Sequence, residues 1–176
     1  GLTNTIVDCL AMNSTGHIFA GTWASGAFRS TDNGENWIPI GLASTPVLSL
    51  AVNSTGHIAA GTSHGVLRST DNGDSWARIG LTNLSVNALV FNSDGHIVTG
   101  TNDGVFRSTD NGKSWTHSKP GITQYTSVLS LAINPIGYIF AAFAGLYSGG
   151  VFRSTDNGGN WIQADTGLSN TIVYAL

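Results

Sequence analysis

Ser30-Thr31-Asp32-Asn33-Gly34-Glu35-Asn36-Trp37 is one of four copies of the pattern Ser-Thr-Asp-Asn-Gly-x-x-Trp; the others occupy residues 69–76, 108–115 and 154–161. The same Arg precedes each copy, and behind it lies the same apolar stretch. Such periodicity marks one supersecondary unit copied end to end, and it outranks any residue-by-residue reading. Framed by the Gly-Leu or Gly-Ile pairs at Gly1, Gly41, Gly80, Gly121 and Gly167, the copies have periods of 40, 39, 41 and 46 residues. The extra length of the fourth falls mainly at residues 144–149 and enlarges one loop. Residues 167–176 match residues 1–10, so the chain holds four units and the opening of a fifth.

That period is the length of a four-stranded propeller blade and well above that of a leucine-rich repeat. The expected blades are 1–40, 41–79, 80–120 and 121–166, with 167–176 as the opening strand of a further blade. In the second copy, residues 47–52 alternate as a strand packed on both sides does. After the turn at 53–57 come strands at 57–62, 65–69 and 76–79. Short loops between all four predict an antiparallel meander. One such sheet cannot cover both its faces, so consecutive units are expected to stack face to face.

The composition suits an all-β chain: 23 of 176 residues are Gly and only 10% are charged, as short strands and tight turns require. With seven Lys plus Arg and a net charge of −3 there is no basic footprint, which argues against nucleic acid as a partner. A single cysteine, Cys9, excludes an internal disulfide. No apolar run is long enough to span a bilayer, and no signal peptide is evident.

The octet has the chemistry of a turn. An Asp carboxylate accepts from N–H groups one to three residues on, Asn-Gly supplies positive φ, the Ser hydroxyl closes the loop, and the Trp folds back to find an acceptor for its indole N–H. Ser-x-Asp-x-Gly-x-x-Trp, as in Ser30, Asp32, Gly34 and Trp37, resembles the Asp-box, or BNR repeat, of sialidase-type β-propellers. The same positions recur as Ser69, Asp71, Gly73 and Trp76, as Ser108, Asp110, Gly112 and Trp115, and as Ser154, Asp156, Gly158 and Trp161. The family often places Thr before the Trp, where this chain has Asn36, Ser75, Ser114 and Asn160. The resemblance implies a propeller fold. It implies no one activity, since Asp-boxes occur in glycosidases, lectin-like modules and assembly scaffolds.

Other readings of the repeated residues are weaker. A calcium loop would need alternating carboxylates and a bidentate Glu at its twelfth position, and the octet has neither. Arg29, Arg68, Arg107 and Arg153 could suggest the carboxylate clamp of sialidases, but identical arginines in every blade point in different directions, so packing or ion pairing is expected. His17, His57 and His96 share one repeat position, filled by Tyr138 in the fourth copy; one per blade, they do not converge on a metal. No cofactor and no metal site are expected.

Antiparallel geometry puts the Asp-boxes and the first-to-second turns on one side of each sheet, and the second-to-third loops and inter-unit links on the other. The Asp-box side is monotonous; the other varies, and loops are where recognition is written. The candidate ligand-binding residues there are Trp23, His64, Asn102, Asp103, Tyr147 of the enlarged loop, and Tyr125 of a link. One strand position also varies, as Asp8, Leu48, Asn87, Leu129 and Tyr174, and contributes Asp8 and Asn87. Aromatics beside amides and hydroxyls suit carbohydrate; the alternative is that Trp23 and Tyr147 merely cover neighbouring loops.

A glycosidase needs two carboxylates across one bond, or in the sialidase manner a Tyr with a Glu, three arginines and an Asp. Glu35 is the only Glu and lies inside an Asp-box; Asp8 and Asp103 are the carboxylates placed on the variable side. Catalysis by this chain alone is therefore not expected. The sequence points to a non-catalytic binding propeller, extracellular or on a cell surface, with a glycan ligand. The alternatives are a scaffold for protein partners and part of a sialidase-like glycosidase whose catalytic residues lie elsewhere. Unpaired blade faces predict either further blades or a homo-oligomer, for instance a head-to-tail ring of two chains and eight blades.

Overall fold

A computed structural model of the chain describes residues 1–2, 6–118, 127–145, 149–168 and 172–176. These form four antiparallel sheets of four strands each and no helix. The first is β1 (Val7–Met12), β2 (Ile18–Thr22), β3 (Gly26–Ser30) and β4 (Ile38–Pro39); the second is β5 (Val47–Val52), β6 (Ile58–Thr62), β7 (Gly65–Ser69) and β8 (Ala77–Gly80). The third is β9 (Val86–Phe91), β10 (Ile97–Thr101), β11 (Gly104–Ser108) and β12 (Thr116–Ser118); the fourth is β13 (Ser127–Ile133), β14 (Ile139–Ala144), β15 (Gly150–Ser154) and β16 (Ile162–Gln163). In every sheet the strands are neighbours in chain order, the expected meander.

The strand bounds expected for the second copy hold at 47–52 and 65–69. The other two shift by one residue for visible reasons. The His57 N–H is taken by Asn53 Oδ1 in the preceding turn, 2.9 Å, so pairing starts at Ile58. Trp76 turns its indole N–H to the carbonyl of Ile40, 2.7 Å, so β8 begins at Ala77.

The described residues fall into two compact units, Gly1–Val86 and Asn87–Leu176. The first has a core of Phe19, Ala27, Ile40, Val47, Leu50, Ile58 and Ala60, drawn from both of its sheets. The second has a core of Val98, Val105, Val128, Ile139, Ala141 and Phe143. Each large aliphatic or Phe side chain so buried contributes roughly 1.5–3 kcal/mol. Face-to-face packing needs a notch, and glycine supplies it: a Cβ at Gly21 would lie 2.6 Å from Val47 Cγ1, and one at Gly100 would collide with Val128. The fourth sheet has Ala142 at the equivalent place.

Residues 172–176 carry the sequence of a first strand but lie in no ladder. Leu176 N–H donates to Ser130 Oγ on β13, 3.1 Å.

Candidate functional site

Each Asp-box closes as a network centred on its Ser and Asp. Ser69 Oγ donates to Asp71 Oδ1 (2.7 Å) and accepts from the N–H groups of Gly73 (2.8 Å) and Asp71 (3.3 Å). Asp71 Oδ1 also accepts the Ser75 N–H, 2.9 Å. The same bonds recur at Ser30 and Asp32, Ser108 and Asp110, and Ser154 and Asp156. The carboxylate thus takes the N–H four residues on, beyond the expected one to three, because the Ser hydroxyl takes the nearer ones. Asn33, Asn72, Asn111 and Asn157 have φ of 58–62°, the left-handed turn that Asn-Gly admits cheaply. The Ser75 hydroxyl and N–H, with the Ser69 hydroxyl, hold the Asp71 carboxyl down to about 2; Ser114 and Ser108 do the same to Asp110.

The Trp rings are half-buried. The indole N–H of Trp37 donates back to Gly34 O (3.0 Å), and that of Trp161 to Gly158 O (3.2 Å) and Ser118 Oγ (3.1 Å). The repeated arginines are packing groups. Arg29 Nη1 donates to Asn72 O, Arg107 Nη1 to Asp156 O, Arg68 pairs with His57 Nδ1, and Arg153 lies over the Tyr138 ring. Burial and the adjacent Arg68 cation push the His57 pKa down. His17, His57, His96 and Tyr138 each give their backbone N–H to an Asn side chain in the first-to-second turn.

The opposite end of each sheet is built differently. Thr22, Thr62 and Thr101, each fully buried, end the second strand of the first three sheets. Their hydroxyls donate across the hairpin to Gly26 O (2.8 Å), Gly65 O (2.9 Å) and Gly104 O (2.9 Å). The same oxygens accept from the loop N–H groups of Ser25, His64 and Asp103. This Thr–Gly clamp was not singled out from the sequence, although Gly-Thr ending the first three of the second strands was its visible signal. Phe143 replaces the Thr in the fourth sheet.

The clamp presents the variable residues. Trp23 is 55% exposed, and its backbone N–H is held by Ile6 O, 3.1 Å. His64 is exposed, with Nδ1 2.8 Å from Ser63 Oγ and its carbonyl accepting from Arg78. Asn102 and Asp103 are exposed on the equivalent hairpin of the third sheet. Asp8 is exposed on β1, at a register shift between Val7 and Cys9. Asn87 is half-buried and structural in its visible bonds, its Nδ2 donating to Val128 O (3.1 Å) and Ser127 Oγ (3.2 Å). Tyr125 and Tyr147 lie outside the described residues. One carboxylate was overlooked on this side: Asp165 Oδ2 lies against Gly150, where the β14–β15 hairpin re-enters the sheet, and accepts from Gln163 Nε2 at 3.0 Å. Among the described residues no cluster of His, Cys, Asp or Glu is arranged to hold a metal.

Residues 106–117 match the BNR/Asp-box repeat family, and the same hydrogen-bonded turn stands at the other three octets. The chain has a β-propeller fold and carries the Asp-box repeat. No curated protein matches it. Among solved structures it is similar to an ancestral GH74 enzyme (24% identity, TM-score 0.76, 90% of this chain and 24% of that one). It is similar also to the GH74 xyloglucanase from Xanthomonas campestris (17%, 0.68, 89% and 30%) and to YCF48 bound to D1 peptide (18%, 0.58, 92% and 69%). At these identities the likeness shows the fold. The chain spans about a quarter of the GH74 enzyme's length.

Proposed function

We propose that this segment binds carbohydrate without catalysis, at the hairpin end of its blades and opposite the Asp-boxes. The carrying observation is Trp23, an exposed indole on a hairpin closed by the buried Thr22 hydroxyl. A rigid aromatic face stacks on sugar CH groups, while nearby polar side chains take the hydroxyls. Asp8 and His64 are the polar candidates in the first unit, and Asn102, Asp103 and Asp165 in the second; Tyr125 and Tyr147 belong to the same proposal. The blade boundaries 1–40, 41–79, 80–120 and 121–166 and an extracellular or cell-surface setting also belong to this reading. The likeness to a xyloglucanase supports the ligand class.

A glycan array probed with the chain and with Trp23→Ala tests it. Retained fold with lost binding in the variant is expected, and failure of the unaltered chain to bind any glycan would sink the reading. The likeness to YCF48 bound to D1 peptide favours a second reading, an exposed peptide held at the same end. A peptide array showing Trp23-dependent binding, beside a blank glycan array, would establish that one. Part of a glycosidase is the third reading, tested by hydrolysis of xyloglucan by a longer chain that contains these blades.

A further inference from the structure

We propose that Asn72-Gly73 and its counterparts Asn33-Gly34, Asn111-Gly112 and Asn157-Gly158 are latent modification sites, at which the Asp-box serine holds off a reaction with water that turns asparagine into aspartate or isoaspartate. The chain's four Asn-Gly pairs all lie in the octets. Asparagine is among the thermolabile residues, and a glycine after it puts no side chain in the way of the attacking nitrogen.

The reaction is redox-neutral and needs only water. The Gly73 nitrogen gives up its proton and attacks Asn72 Cγ; the N–Cγ bond forms, the Cγ–Nδ2 bond breaks, and Nδ2 leaves as ammonia with a proton returned through solvent. Water then opens the cyclic imide. Breaking the N–Cγ bond gives aspartate, and breaking the bond from that nitrogen to the Asn72 main-chain carbonyl carbon gives isoaspartate.

Water reaches these sites, since Asn33, Asn72 and Asn111 are exposed and Asn157 is half-buried. What holds the reaction back is the state of the nucleophile. Each Gly N–H donates to the Ser Oγ of its own octet, at 2.9 Å for Gly34, 2.8 Å for Gly73, 2.7 Å for Gly112 and 2.8 Å for Gly158. The hydroxyl proton is committed to the Asp carboxylate at 2.7–2.8 Å, so each Ser oxygen turns its lone pairs to the N–H. All four serines are buried, and solvent does not compete for that bond. The Gly nitrogen is denied both the loss of its proton and the rotation of its peptide plane that would bring it onto Cγ.

Conversion would be felt beyond the turn. Asn72 O accepts from Arg29 Nη1 at 2.8 Å, and isoaspartate, which routes the main chain through Cγ, moves that acceptor and unfastens the first sheet from the second.

Peptide mapping by mass spectrometry after incubation at mildly alkaline pH reads each asparagine separately. Conversion at all four sites should be at least about tenfold slower in the native chain than in guanidinium chloride, the factor that one hydrogen bond supplies. Ser69→Ala should speed conversion at Asn72 by about tenfold and leave Asn33, Asn111 and Asn157 at their native rates, which also certifies that the variant is folded. Ser154→Ala makes the same comparison at Asn157 should Ser69→Ala unfold. Equal rates in the native and denatured chain overturn the proposal, as does a variant with a native circular dichroism spectrum whose own asparagine converts no faster than before.

Discussion

Arg29 Nη1 lies 2.8 Å from the carbonyl of Asn72 and 3.3 Å from Asp74 Oδ1, so a cation from the first sheet fastens the Asp-box turn of the second. The two contacts are unequal. The carbonyl bond is charge-assisted and the arginine is largely covered, whereas the Asp74 side chain is open to water, where ion pairs contribute about 0–1 kcal/mol. Arg29→Met should cost roughly 1.5–3 kcal/mol and Asp74→Ala less than about 1 kcal/mol, read from urea midpoints at constant m.

Removing the Ser of an Asp-box should cost about as much as removing Arg29 and more than removing Asp74. Ser69→Ala leaves the N–H of Gly73 without its acceptor inside a buried turn, at a cost of about 1–3 kcal/mol. Thermal unfolding of Ser69→Ala beside exposed Thr70→Ala separates the turn from a general surface effect.

Acid should find these turns late. The Asp71 and Asp110 carboxyls are held at about 2, against 3.8 ordinarily. A carboxyl lowered by folding stabilises the native state above its unfolded value, and that contribution is lost as pH falls from about 3.8 toward 2. Tryptophan fluorescence followed from neutral pH downward should stay native-like until that window. Ser75→Ala, which removes the largest cause of the Asp71 shift, should move the transition to higher pH.

The glycine notch predicts a steric penalty. Gly100→Ala forces a methyl into Val128 and should destabilise by about 1–3 kcal/mol, while Gly95, with open space around it, gives a control that senses only its positive φ.

The Thr–Gly clamp can be separated from the residues it presents. Thr22→Val keeps the shape of the side chain but loses the bonds to Gly26 O and Ser25 N–H. It should weaken ligand binding through Trp23 while leaving the indole itself in place. Calorimetry of Thr22→Val against Trp23→Ala should show partial loss in the first and full loss in the second; equal binding by all three chains would remove Trp23 from the site.

The fold was legible because four copies share one register: β5 and β7 begin and end where their alternation and turns imply. The turns were legible in kind but not in wiring, since nothing in Ser-x-Asp says that the hydroxyl takes the near N–H groups and leaves the carboxylate the one four residues on. On the variable side, Trp23, His64 and Asp103 were singled out because they differ between copies. Asn87 was found by the same logic yet spends its amide on Val128 O, and Asp165 was missed because two extra residues before Gly167 carry it past the repeat frame. Difference between copies locates freedom to vary, and only packing tells which varied residue faces a ligand.

The register shifts on the first strands bear on that freedom. They fall at Asp8, Leu48 and Leu129, a strand position at which the copies differ. A bulged residue is left out of the ladder, so its side chain can be replaced without rewriting the pairing of its neighbours. Duplication of a blade therefore hands each descendant a position whose residue can change without breaking the ladder, and in the third sheet that freedom has been spent on a bond from Asn87 to Val128 O.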